Sequence, residues 1–317
     1  MKTSVLALVI VVVGVIGVAL FLVLPRQGAT IPTEEAKIPT EAATIPTINI
    51  GATEYSFTIP ETVPGGLVKL NFVNNGQEDH HAQMLRLNGG VTFEQFQRTF
   101  EEAMQAVPVE GDAAFFRIEE IAALAGGPPP TSPGNANEVI QNLEPGNYVL
   151  LCFLEDPEGI PHMAKGMIGQ FIVTPGPAVM PSPPGAQATV ELGDFAFVNV
   201  PDFAAGKTIL QVTNSGSQPH EMIVLRLKGI SADQLFEILS APPPPPGEAP
   251  PPGPPPFEGP LPVESAGGIQ AFMPGETAWT TLDLSQGEYV IVCFISSPLH
   301  DNAPHLTLGM FHAFTIN

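Results

Sequence analysis

Alternation of apolar and polar positions runs through two long stretches of the chain, with the period of a strand rather than of a helix. Val68-Lys-Leu-Asn-Phe-Val and Ile209-Leu-Gln-Val-Thr are examples, each followed by Asn, Ser or Gly in a turn-forming cluster. Tyr148, Leu150 and Cys152 share one face of a further run, and Tyr289, Ile291 and Cys293 repeat that pattern. Many short strands with Pro/Gly turns predict an all-β chain of antiparallel sandwiches. Two inserted segments depart from the strand period. Each opens with a capping box, Thr92-x-x-Gln95 and Ser231-x-x-Gln234, which satisfies free N–H groups at a helix start. Phe93, Phe96, Phe100 and Met104 then recur at helical spacing, predicting a helix face packed on the sandwich. In the second segment the pattern gives way to Pro242–Pro256, a proline run with scattered glycine that reads as a solvated spacer.

The N-terminus has no alternation. Ser4–Leu24 is an unbroken apolar run that spans roughly 30 Å as a helix, the hydrocarbon thickness of a bilayer. Lys2 precedes it, favouring a cytoplasmic N-terminus and an exported body. The run is long and no clear Ala-x-Ala site follows, so an uncleaved anchor is expected over residues 1–24 rather than a removed signal peptide. Residues 25–46 repeat Ile-Pro-Thr at Ile31, Ile38 and Ile45 with little apolar mass. They read as a stalk, reaching up to about 70 Å if extended. The proline-rich stretch 176–186 is the expected linker between two domains, 47–175 and 187–317.

These two stretches are copies of one another. Phe72-Val-Asn-Asn-Gly76 leads to His80 as Val212-Thr-Asn-Ser-Gly216 leads to His220, with equal spacing. Gly126-Gly127 matches Gly267-Gly268, and Gly-Asn-Tyr-Val-Leu-Leu-Cys152 matches Gly-Glu-Tyr-Val-Ile-Val-Cys293. Pro161-His162 with Gly166-Met167 matches Pro304-His305 with Gly309-Met310. Each copy is longer than a solenoid unit, so the duplication is of whole domains.

One set of four side chains therefore occurs twice: His80, Cys152, His162 and Met167, then His220, Cys293, His305 and Met310. Two imidazoles, a thiolate and a weak thioether form the ligand set that suits a blue copper electron-transfer centre. Four of the seven histidines and both cysteines fall at these positions, in the same order in each half. His81 is replaced by Glu221 in the second copy, His300 lacks the Pro-His-x-x-x-Gly-Met context, and His312 is unmatched, so none of these three is expected to ligate. A disulfide is not expected, because each cysteine ends an equivalent buried strand in a different domain.

With its Asn-x-Gly-x-x-x-His approach and Cys…Pro-His-x-x-x-Gly-Met in both copies, the chain resembles the cupredoxins, the family of plastocyanin and azurin. The resemblance implies two tandem Greek-key sandwiches, each with two histidines and a cysteine as strong copper ligands and an axial methionine. The Cys-to-His loops, with nine and eleven intervening residues, are longer than in most of that family.

Composition narrows the function further. A net charge of −21 with only 14% charged residues argues against nucleic acid and anionic membrane surfaces as partners, since both require Lys and Arg. The same sign suits transient docking to a basic redox protein such as a small cytochrome. Leu151 and Val292 precede the cysteines, and the chain lacks the His-x-His pairs of copper oxidases, a Gly-x-Ser-x-Gly elbow and a Cys-x-x-Cys motif. No catalytic centre is expected. The leading reading is a membrane-tethered extracytoplasmic electron carrier with up to two type 1 coppers. A copper-free surface-binding or adhesion module, or a copper storage and delivery protein, is the alternative.

Overall fold

In the strand Gly66–Asn74 the alternating side chains Val68, Leu70 and Phe72 are fully buried while Lys69, Asn71 and Val73 face outward. The same alternation shapes Thr47–Thr53, Gly206–Asn214 and Thr277–Leu284, because a pleated strand turns successive side chains to opposite faces. The computed structural model describes residues 44–110, 114–241 and 261–317. The apolar run 4–24, nearly all of the stalk and the proline run 242–256 lie outside them. Among the described residues no helix is long and apolar enough to cross a membrane.

Each half stacks two layers of strands. In the first half a five-stranded sheet runs in the order Thr62–Pro64, Ile168–Thr174, Gly146–Leu151, Gln83–Leu87, Ala122–Leu124. In the second half a four-stranded sheet has the order Val263–Phe272, His220–Leu227, Gly287–Val292, Phe311–Ile316. The opposing layers are not separate. They join into one eight-stranded sheet, in which Thr277–Leu284 of the second half pairs antiparallel with Ala136–Leu143 of the first. Residues Ala42–Asn317 accordingly form one compact unit. Each half keeps its own core, around Phe72, Leu150 and Phe171 in the first and Leu192, Leu210 and Tyr289 in the second. Val139, from the first half, packs in the second core.

Both predicted capping boxes form. Thr92 Oγ1 accepts from Gln95 N–H while the Gln95 side chain accepts from Thr92 N–H, at the start of helix Phe93–Glu110. Ser231 and Gln234 do the same for helix Ala232–Leu239. Phe96 and Phe100 of the first helix stack on each other and pack against Leu85, Leu87, Val149 and Leu151 on the outer face of the five-stranded sheet. The repeated Gly-Gly pair also has a local cause. Gly127 and Gly268 have φ of 124° and 123°, and a Cβ there would run into the main-chain carbonyl of Ala82 or Met222.

Candidate metal centres

The ligand-type side chains sit where strands end. Cys152 follows the strand Gly146–Leu151, and His80 forms an isolated β-bridge with Thr131 beside it. His162 opens a single helical turn, His162–Lys165, closed by Gly166 at φ 103°, which brings Met167 to the head of strand Ile168–Thr174. The second half repeats this. His220 opens strand His220–Leu227 opposite Phe272, Cys293 follows Gly287–Val292, and His305 opens the turn His305–Leu308 ended by Gly309.

His80 Nδ1 lies 3.0 Å from His162 Nδ1, and Cys152 Sγ lies 3.5 Å from the same His162 nitrogen. The second trio has the same separations, 3.0 Å for His220 Nδ1 to His305 Nδ1 and 3.5 Å for Cys293 Sγ to His305 Nδ1. All six residues are buried, and the ligand atoms of each trio lie within 4.8 Å of one another. Met167 and Met310 are fully buried and bound to the second histidine of each set, Met167 N–H donating to the His162 carbonyl at 3.0 Å and Met310 N–H to that of His305 at 2.9 Å.

The loop before each first histidine is built around a buried asparagine. Asn74 Nδ2 donates to the carbonyls of Glu78 and Thr131, both at 2.7 Å, while its Oδ1 accepts from Gly76 N–H at 2.8 Å. Asn214 does the same with Gln218, Phe272 and Gly216. The glycine of the motif makes room for the ligand itself. A Cβ on Gly76 would lie 2.9 Å from His80 Nε2, and one on Gly216 2.7 Å from His220 Nε2.

Acidic groups support the imidazoles from outside. Asp194 Oδ1 is 2.9 Å from His220 Nε2, and Glu78 Oε2 is 2.8 Å from His162 Nε2. Glu54, at the place equivalent to Asp194, stands 3.8 Å from His80 Nε2. Of these, the Asp194–His220 hydrogen bond is the kind that fixes ring orientation and raises ligand basicity. Sequence reasoning missed these groups, although Glu54-Tyr55 and Asp194-Phe195 repeat an acid ahead of an aromatic at matching positions.

Burial sets the proton equilibria. It lowers His80, with the neighbouring His162 adding to the effect, and it pushes His305 down to about 4, helped by His220. It raises the Cys152 thiol to about 12 and the Cys293 thiol well above its ordinary value. Each trio thus sets two imidazole rings close against one another beside a thiol that burial holds in its protonated form. A soft cation, if bound, would be held by the two imidazoles and the cysteine of each trio, and its charge would favour the thiolate over the thiol. Two imidazoles with one thiolate, gathered this closely, are donors that copper favours.

The remaining histidines lie outside the trios. His81 is buried, its Nε2 accepting Phe153 N–H at 2.7 Å, and burial followed by the nearby His162 and His80 pushes it down to about 3. Glu221 takes that place in the second half, accepting Phe294 N–H at 2.7 Å, and burial pushes it up to about 7. His300 is exposed and 2.9 Å from Ser297 Oγ, and His312 is exposed. Both cysteines are free thiols.

No family model and no curated protein matches the chain. Among solved structures, the dithionite-reduced auracyanin of Roseiflexus castenholzii is similar at 23% identity, covering 42% of this chain and all of that one, with a TM-score of 0.25. Auracyanin A, a blue copper protein of Chloroflexus aurantiacus, is 22% identical over 40% of this chain and 98% of its own, at a TM-score of 0.26. The copper nitrite reductase of Nitrosomonas europaea is 13% identical over 86% of this chain and 94% of its own, at a TM-score of 0.23. Paired strand layers each bring two histidines and a cysteine together at the strand ends, with a buried methionine five residues beyond the second histidine, and both trios fit type 1 copper.

Proposed function

We infer that the chain is a membrane-tethered, extracytoplasmic blue copper protein that carries single electrons and has no catalytic centre. The observation that carries this reading is the pair of buried His–Cys–His trios with matching separations of 3.0 and 3.5 Å. Copper, when bound, supplies one-electron chemistry by alternating between its +1 and +2 states. The chain holds the donors. Asn74 and Asn214 lock the first-histidine loops, the Met N–H bonds close the second-histidine turns, and burial excludes water. A cage that does not rearrange between oxidation states favours fast transfer. His162, Met167, His305 and Met310 would complete the two sets, the thioethers as weak donors that would tune potential more than affinity.

Access and docking fit the same reading. Phe153 and Ile160 on the first Cys-to-His loop, and Phe294 and Leu299 on the second, are exposed apolar side chains beside the sites. The acidic surface suits a basic partner such as a small cytochrome, and the apolar run 4–24 is the proposed tether.

The test is a visible absorption spectrum of the chain after Cu(II) loading, with metal counted alongside. An intense thiolate-to-copper band that disappears in the Cys152→Ser/Cys293→Ser variant, with unchanged far-ultraviolet circular dichroism, supports the carrier. A colourless chain that retains no copper transfers the function to metal-free surface binding.

A further inference from the structure

Gln83 is a buried polar side chain whose position in the repeat is not polar in the other copy, where Ile223 stands three residues after the first histidine. Its main chain pairs with Leu151, the residue before Cys152. Its side-chain amide bonds to both halves, Nε2 donating in the first half to the carbonyls of Met84 at 2.8 Å and Gly126 at 3.2 Å. Nε2 donates to the Ala271 carbonyl at 2.9 Å and Oε1 accepts from Ala271 N–H at 3.0 Å, so the amide pairs with both main-chain groups of one residue of the second half. Ala271 precedes Phe272, which lies opposite His220 in the sheet and whose carbonyl accepts from Asn214, the organiser of the His220 loop.

A continuous run of covalent bonds, strand pairings and side-chain hydrogen bonds therefore joins one trio to the other. It leads from Cys152 through Leu151 to Gln83, across the amide to Ala271, and through Phe272 to His220. Two further contacts hold the seam rigid, Gly126 N–H to the Ala271 carbonyl at 2.8 Å and Gln270 N–H to the Gly127 carbonyl at 3.0 Å. A fold that needed only to glue two domains together would be served by apolar contact. This buried amide is satisfied by main-chain groups of both halves, and it ties the strand paired with the residue before Cys152 to the strand opposite His220.

We propose that Gln83 is the bridge that couples the two metal centres, so that an electron entering at one site equilibrates with the other inside the chain. This rests on the copper reading above. In the exchange one copper passes from +1 to +2 as the other passes from +2 to +1, and no proton or bond is transferred. The two centres then act as one two-electron store fed one electron at a time, a property neither half has alone.

The experiment is pulse reduction of the copper-loaded full chain by a viologen radical, a one-electron donor. Single variants Cys152→Ser and Cys293→Ser assign each site's spectrum, which differ through His81 beside one cysteine and Glu221 beside the other. Redistribution between sites is expected at a rate independent of protein concentration, slowed at least tenfold in Gln83→Met and Gln83→Asn, with both absorption bands retained. In the metal-free chain the same variants are expected to speed amide exchange at Ala271 at least tenfold, which reports the broken bridge without any metal. Redistribution in the unaltered chain that scales with protein concentration overturns the proposal whether or not the variants fold. So does an unchanged rate in a variant whose Ala271 amide has lost protection. A chain that binds no copper sinks the carrier reading itself. Two coppers that equilibrate only by collision, or one copper per chain, leave the carrier standing and remove the bridge.

Discussion

The glycine four residues ahead of each first histidine is the smallest determinant of the sites. Gly76→Ala and Gly216→Ala place a methyl first against the carboxylate of Glu54 or Asp194 and then against the ring of His80 or His220, and a ring forced to swing loses its aim at the metal. Copper affinity of the altered site is expected to fall by about 10–100-fold, the range seen when a ligand's support is disturbed, as read by chelator competition. Asp194→Asn removes a charge from the far nitrogen of His220 and should weaken the second site by about tenfold or more. The first site should be unaffected, a contrast that a general loss of stability would not produce. Both glycines stand in the sequence motif. Their reason, contact with the imidazole, exists only once the loop is closed around Asn74 or Asn214.

At the scale of elements, the helix Phe93–Glu110 is a stabilising brace rather than part of a site. Its buried Phe100 packs on Leu85, Leu87 and Val149. Phe100→Ala should cost about 3–5 kcal/mol in urea unfolding, while copper binding by the folded protein stays unchanged. The Asn-centred loops behave oppositely. Asn74→Ala leaves the carbonyls of Glu78 and Thr131 and the N–H of Gly76 without their partner, which should cost about 1–3 kcal/mol and weaken the first site as well. The helix was legible from its capping box and aromatic spacing because both are local. The role of Asn74 was legible only as a motif letter, because its partner Thr131 is distant in sequence and is brought there by the β-bridge to His80.

For the whole molecule, the shared eight-stranded sheet makes the two halves one thermodynamic unit. The metal-free protein is expected to unfold in a single transition with equal calorimetric and van't Hoff enthalpies. Two separated transitions would mean that the seam between Ala136–Leu143 and Thr277–Leu284 is weak. Acid should destabilise the metal-free form. His81, down to about 3, and His305, down to about 4, both hold fewer protons folded than unfolded, chiefly because burial disfavours the charged ring. Their stabilising contribution is complete above about pH 6.5, the ordinary histidine value, and is lost as pH falls through the folded values. Glu221 acts in the other direction. Its pKa is raised from 4.5 to about 7, so its contribution fades as pH rises across that interval. Melting temperature against pH in Glu221→Gln should therefore isolate the histidine slope.

Duplication, strand alternation, the capping boxes and both sets of candidate ligands were legible in the sequence alone, because each is carried by residue type at short, repeated spacing. His305 over His300 and His80 over His81 followed from the same repeat logic, and the geometry brings together the favoured ones. Only the tertiary structure decided that the halves share a sheet. Main-chain pairing between distant strands leaves no side-chain signature, and Ile140 opposite Trp279 looks like any half-buried strand position. The same holds for Gln83, which reads as an ordinary polar letter until folding buries it and sets Ala271 of the other half against its amide. Residue chemistry is written locally. The meeting of two copies is written in backbone hydrogen bonds, which every residue except proline supplies alike.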